Sequence, residues 1–185
     1  MKKIIIILTV GAACALHAQT TNAPRTYFEA CKSALNCPLV RGMSGIGALT
    51  GQVTYPVDIR VERLTARPAT NTVYGVAVRT RLSRAGGLQV DYIDYDELDG
   101  LIHGLQLIAQ ADHTVVPMDD YEAVYRVRSG LSVAKISNGN KVVIAIQCGD
   151  ANGTRNQIGP YVLDDLQRLL TAAKGKIDAL AASGQ

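Results

Sequence analysis

The chain has 185 residues, 48% of them hydrophobic, with 19 Lys+Arg against 16 Asp+Glu and a formal net charge of +3. That length builds one domain with a real core, or two small halves packed together. The charge is too small for a general polyanion binder, because nucleic-acid modules are strongly basic.

Lys2 and Lys3, the apolar run from Ile4 to Ala15 and the small Ala18 after Leu16-His17 form the three parts of a secretory signal peptide. Residues 1–18 are therefore expected to be removed, and the working chain to begin near Gln19 in the periplasm or outside the cell. Two other readings fit less well. A transmembrane anchor needs about 20 apolar residues, and here His17 breaks the run just before Gln19-Thr20-Thr21-Asn22. Lipoprotein processing at Cys14 would place Gly11 where such signals carry a leucine-like residue. Cleavage leaves 167 residues, 17 Lys+Arg and a net charge of +1, with no transmembrane segment expected in the mature chain.

Export also removes Cys14 and leaves Cys31, Cys37 and Cys148, an odd number in an oxidising compartment. Cys31 and Cys37 enclose five residues and form the expected disulfide, although Cys148 could take either partner. With no close CxxC pair and with His103 and His113 isolated, the spacing of zinc ligands is missing and no metal site is expected.

Residues 19–51 are mixed and end in the glycine-rich stretch 41–51. No Gly-Lys-Ser or Gly-Lys-Thr follows, so this is no P-loop, and a flexible N-terminal segment is expected, with ordered structure starting at Gln52. Val57, Ile59 and Val61 then alternate with Asp58, Arg60 and Glu62; Tyr74, Val76, Val78 and Leu82 alternate with Gly75, Ala77, Arg79 and Arg81. This is the period of half-buried strands, with turn chemistry at 68–71 between them and a third strand over 88–93 after Gly86-Gly87.

The period then changes. Leu98, Leu101, Ile102, Leu105 and Ile108 lie on one helix face, and Asp94 with Glu97 is a capping-box pattern at its start. Gly100 and Gly104 each cost a helix up to about 1 kcal/mol relative to alanine, which points to close approach of another backbone. The order recurs: strands are expected over 121–128, 131–137 and 141–148, then a polar loop over 149–159. A second helix follows, with Leu166, Leu169, Leu170, Ala173, Ile177 and Leu180 on one face. An offset of 68 places Asp96-Glu97-Leu98 on Asp164-Asp165-Leu166. The expected fold is α+β: a tandem β-β-β-α repeat, halves 52–112 and 120–182, with antiparallel strands and two helices on one face.

Tyr92-Ile-Asp-Tyr-Asp-Glu-Leu-Asp-Gly-Leu-Ile102, Tyr121-Glu-Ala-Val-Tyr125 and Leu131-Ser-Val133 resemble a group of exported bacterial proteins without an assigned activity. That resemblance covers roughly residues 55–180 and implies a fold alone. The doubled sheet-then-helix order is similar in topology to the PUR-alpha and Whirly single-stranded nucleic-acid binders. Those use a basic sheet face with stacking aromatics, whereas this chain has no Trp and one Phe.

Charge is segregated along the chain. From Arg60 to Arg84 there are six arginines against Glu62 alone, and from Asp91 to Glu122 nine carboxylates without a Lys or Arg. Arg79, Arg81, Arg126 and Arg128 alternate in two predicted strands, so each pair is expected to project from a sheet face, where guanidinium forks suit carboxylates and phosphates. The plainer reading is a solvated face cross-paired with Asp58, Glu62, Asp91 and Glu122. Asp91, Asp94, Asp96, Glu97 and Asp99 fail the EF-hand pattern, since Leu98 and Leu105 fall on ligand positions. His103 and His113 are expected at the surface, and Asn152-Gly-Thr154 has the form of a glycosylation sequon. The reading is an exported, non-enzymatic protein without cofactor that binds an unidentified protein or anionic envelope component, no nucleic acid being expected. Its alternatives are an envelope hydrolase using carboxylates in 91–99, and single-stranded nucleic-acid binding.

Overall fold

The computed structural model describes residues 25–33, 37–50, 55–67, 72–81, 87–149, 155–159 and 161–183. The leader with Cys14, the turn at 68–71, Gly86 and the sequon at 152–154 lie outside the described residues. A short helix, α1 (Tyr27–Lys32), precedes an antiparallel sheet of β1 (Leu39–Leu49), β2 (Val57–Ala66), β3 (Thr72–Arg81) and β4 (Leu88–Asp94) in that order. A 3-10 turn, Tyr95–Glu97, leads into α2 (Leu98–Gln110). The second sheet is β5 (Asp120–Arg126), β6 (Ser132–Asn138), β7 (Lys141–Gln147) and β8 (Arg155–Ile158), also antiparallel and in order, followed by α3 (Val162–Ala182).

The fold is thus α+β with a tandem sheet-then-helix order, and each unit carries four strands where three were expected. The fourth in each was hidden for a physical reason. β1 lies in the segment 19–51 expected to be flexible, and its Gly42, Gly45 and Gly47 give it little strand propensity. It nevertheless pairs with β2 from Leu39↔Ala66 to Leu49↔Val57, with an irregularity between Gly45 and Gly47. A Cβ on Gly47 would stand 2.7 Å from Cδ2 of Leu169, so the glycine lets α3 close onto the sheet. β8 is four residues inside the predicted polar loop, too short to show a period.

Each of the two long helices crosses to the other unit's sheet. α2 packs on β5 and β6, α3 packs on β1, β2 and β3, and the two helices touch each other. One continuous core results: Ile59, Val76 and Ile93 meet Leu101 and Leu105 of α2, Val133, Ile144 and Ile146, and Leu166, Leu170 and Ile177 of α3. Burying each such side chain contributes roughly 1.5–3 kcal/mol. Lys135 of β6 donates to the carbonyls of Ala109 and Ala111, placing a cation on the carbonyls at the end of α2.

The opposite face of the first sheet is partly covered by α1. Phe28, fully buried, stacks on Tyr92 with centroids 4.5 Å apart, against Leu64 and Ala77. Six residues cannot hold a helix unaided. Thr26 Oγ1 accepts the Glu29 amide at 3.0 Å, and the buried carboxylate of Asp94, across the fold, accepts the amides of Tyr27 at 2.7 Å and Phe28 at 3.0 Å.

A polar joint connects the units. Gly149 N–H donates to Asp91, Gln89 Nε2 to the Cys148 carbonyl at 2.6 Å, and Asn156 Nδ2 to the Tyr55 carbonyl at 2.8 Å and Thr80 Oγ1 at 3.1 Å. Burial pushes the Asp91 carboxyl above the usual carboxylate value, against the pull of the Gly149 amide and the Cys148 thiol. Burial, then Asp91, also push the Cys148 thiol up. Between the ordinary and the raised value of Asp91 the folded chain keeps a proton that the unfolded chain has released, so the Asp91 contribution to stability falls as pH rises through that window. Asp91→Asn, whose amide oxygen still accepts Gly149 N–H, is expected to gain stability relative to the parent on going from pH 4 to pH 7. Urea midpoints at the two pH values measure this, and an unchanged difference would exclude it.

Candidate functional site

Alternation on β2 and β3 sends Val57, Ile59, Val61, Val76 and Val78 into the core and Asp58, Arg60, Ala77, Arg79 and Arg81 to the opposite face. α1 covers that face around Ala77, and beyond it the surface is open. There Arg60, Arg79, Arg81 and Asp58, with Tyr55, Pro56 and Leu88, line a cavity of about 390 Å³. The register explains the grouping: Asp58 pairs with Arg79, Arg60 with Ala77, and Arg81 with Leu88. Asp58 lies 2.5 Å from Arg60 Nε and 3.6 Å from Arg79 NH1, both partly exposed contacts. Arg81 is exposed and makes no ion pair among the described residues. Three guanidinium groups thus face one carboxylate among the described lining residues.

The four arginines expected on sheet faces separate into three places. Arg79 and Arg81 enter this basin, joined by Arg60, which alternation alone did not select. Arg126 is exposed at the end of β5. Arg128 is not in a strand at all: the chain turns after Arg126, with Val127 N–H bonded to Leu131 O at 3.0 Å and Gly130 at φ +99°. From that turn Arg128 reaches Asp94 at 3.4 Å, Glu97 at 3.3 Å and Asp96, and its guanidinium lies 5.1 Å from the Tyr27 ring centre.

The acidic run disperses to separate partners. Asp91 belongs to the joint with Gly149, Asp94 holds α1, Asp96 and Glu97 hold Arg128, and Asp99 lies 3.7 Å from Lys174. Burial raises the Asp94 carboxyl, although two amides and Arg128 pull it down. Among the described residues no group of three His, Cys, Asp or Glu is placed to hold a metal ion, and no helix is long and apolar enough to cross a membrane. Cys31 at the end of α1, Cys37 before β1 and Cys148 are unbridged in the structure, where a Cys31–Cys37 disulfide was expected; burial and then the neighbouring Cys37 raise Cys31.

His103 is exposed on α2. His113 makes a contact the sequence did not suggest: Nε2 lies 3.2 Å from Ser137 Oγ, while Nδ1 lies 2.8 Å from the Met118 carbonyl. A serine and histidine so arranged have the form of a nucleophile and base. Ser137, however, is 1% exposed, and the pair straps the loop after α2 to the β6–β7 hairpin.

Compared with protein-family models, with curated proteins and with solved structures, the chain gives no match.

Proposed function

We propose that the protein is an exported, non-catalytic binding protein whose arginine basin takes an anionic component of the cell envelope. The observation that carries this is the convergence of Arg60, Arg79 and Arg81 on one open cavity with Asp58 as the carboxylate beside them. Guanidinium groups can grip phosphate, sulfate or carboxylate through paired N–H donors. Tyr55, Pro56 and Leu88 add apolar contact for the body of such a ligand. Hydrolysis by the carboxylates of 91–99 gains no comparable support, because Asp91, Asp94, Asp96 and Glu97 are committed to amides or to Arg128.

The test is binding of the purified protein to envelope fractions and to phosphatidylglycerol vesicles. Arg79→Glu with Arg81→Glu is expected to weaken binding at least tenfold, and raised salt to weaken the parent's binding, as exposed charge contacts require. Arg126→Glu, outside the basin, is expected to leave it unchanged. Undiminished binding by the double reversal overturns the reading. Arg128 is left intact because its loss would unseat Asp94 and α1.

A further inference from the structure

A second cavity, of about 440 Å³, opens where α1, the start of β3, the 3-10 turn and the last turns of α3 meet. That volume lies within the roughly 300–1,000 Å³ of small-molecule sites. Val73, Ile177 and Ala181 give it apolar lining, and three tyrosines, Tyr27, Tyr74 and Tyr95, line it too. Tyr27 is 63% exposed and Tyr95 40%, so the rings present surface to solution instead of packing together.

Two of these rings already attract cations of the chain itself. Arg128 lies 5.1 Å from the Tyr27 centre and Lys174 lies 5.5 Å from the Tyr95 centre. The charge around them remains negative. Arg128 is met by Asp94, Asp96 and Glu97, and Lys174 by Asp99 and Asp178, five carboxylates against two cations. Among the described lining residues Asp94 and Asp96 are carboxylates and none is Lys or Arg, so ring faces and a negative edge together favour a cationic ligand.

The hydrogen-bonding pattern narrows its class. Both oxygens of Asp94 already accept amides, Asp96 is held by Arg128, and the Tyr95 hydroxyl donates to Asp178. A primary ammonium, which needs acceptors for three N–H groups, would find most of the lining carboxylate oxygens already engaged. A quaternary ammonium needs none. We propose that this cavity binds a trimethylammonium group, its methyl groups on Val73, Ile177 and the tyrosine faces and its charge balanced by Asp94 and Asp96. The site is separate from the arginine basin and of opposite charge preference.

Titration calorimetry of the purified protein with choline, and with its uncharged isostere 3,3-dimethyl-1-butanol, tests this directly. Choline is expected to bind at one site, at least tenfold tighter than the isostere. Tyr27→Ala and Tyr95→Ala should each weaken it about five- to tenfold, the scale of a partly desolvated cation–π contact. Tyr27→Phe keeps the ring and should keep the affinity, and Arg79→Glu should not affect it. Vesicles of phosphatidylcholine separate the two sources of the group: binding to them as well as to choline assigns a lipid headgroup, and binding to choline alone a free small molecule. No choline binding, equal affinity for the isostere, or full affinity in the Tyr27→Ala/Tyr95→Ala double variant would overturn the proposal.

Discussion

Replacing Gly104 by alanine is expected to destabilise the protein by about 2–3 kcal/mol, even though alanine is the better helix former by up to about 1 kcal/mol. A Cβ at Gly104 would overlap Cδ2 of Tyr125 and stand 2.6 Å from its Cε2 and 2.7 Å from its Cγ, the body of the ring rather than its flexible end. The ring rises from β5, on which α2 packs, so relief requires the helix and the second sheet to part. At Gly100 the nearest atom is the Tyr125 hydroxyl at 2.8 Å, and alanine there should cost less because the far end of a side chain can shift. Gly175, on α3 with nothing within 4 Å, supplies the opposite control: alanine should stabilise by about 0.5–1 kcal/mol. Urea unfolding of the three variants measures the effects. In the Gly104→Ala background, Tyr125→Ala should cost less than it does alone, the coupling expected of side chains in contact. Additive losses would show that the ring does not set the helix-to-sheet distance.

Asp94→Ala is expected to cost about 2–4 kcal/mol, since hydrogen bonds to a charged group contribute about 1.5–3 kcal/mol and a partner left uncompensated adds to the loss. Two amides of α1 lose their acceptor and Arg128 loses its buried counter-charge in one substitution. Asp94→Asn, able to accept from one amide through its oxygen, should fall between the parent and Asp94→Ala. Because α1 is too short to persist alone, its release should appear as faster alkylation of Cys31, which lies on α1 against the Phe28 cluster. Thermal unfolding reads the stability loss and thiol labelling reads the release. Equal labelling in parent and variant would mean that Phe28 stacked on Tyr92 holds α1 without the carboxylate.

The core of the fold was legible where a period runs long enough to be counted. The alternation at Val57, Ile59 and Val61 and at Val76 and Val78 marks residues that are buried, and Leu98, Leu101, Leu105 and Ile108 form the buried stripe of α2. The offset of 68 likewise aligns Leu98 and Leu101 with Leu166 and Leu169, all buried. Gly100 and Gly104 did signal a close approach, but to the Tyr125 ring rather than to a backbone. β1, β8 and α1 were not legible: one is diluted by glycine, and the others are four and six residues long.

The arginine basin was half legible. Alternation places Arg79 and Arg81 on one face, whereas Arg60 joins them through the pairing of β2 with β3. Arg128 was misplaced because a tight turn at Gly130 ends the strand before it. The tyrosine cavity had no sequence signal, because Tyr27, Tyr74, Tyr95 and Ile177 come from four elements with no common spacing.

What the sequence determines unaided is the order of the two sheets and of α2 and α3, the apolar face of each and the glycines of α2 that admit close packing, because side-chain periodicity and chain stiffness are local properties. Only the tertiary structure decides that α2 and α3 each cover the other unit's sheet, that α1 covers part of an outer face, and that one carboxylate, Asp94, both braces α1 and edges a cavity. Those outcomes depend on strand register and on contacts between residues up to about a hundred positions apart, such as Asn156 with Tyr55, and no local pattern encodes them.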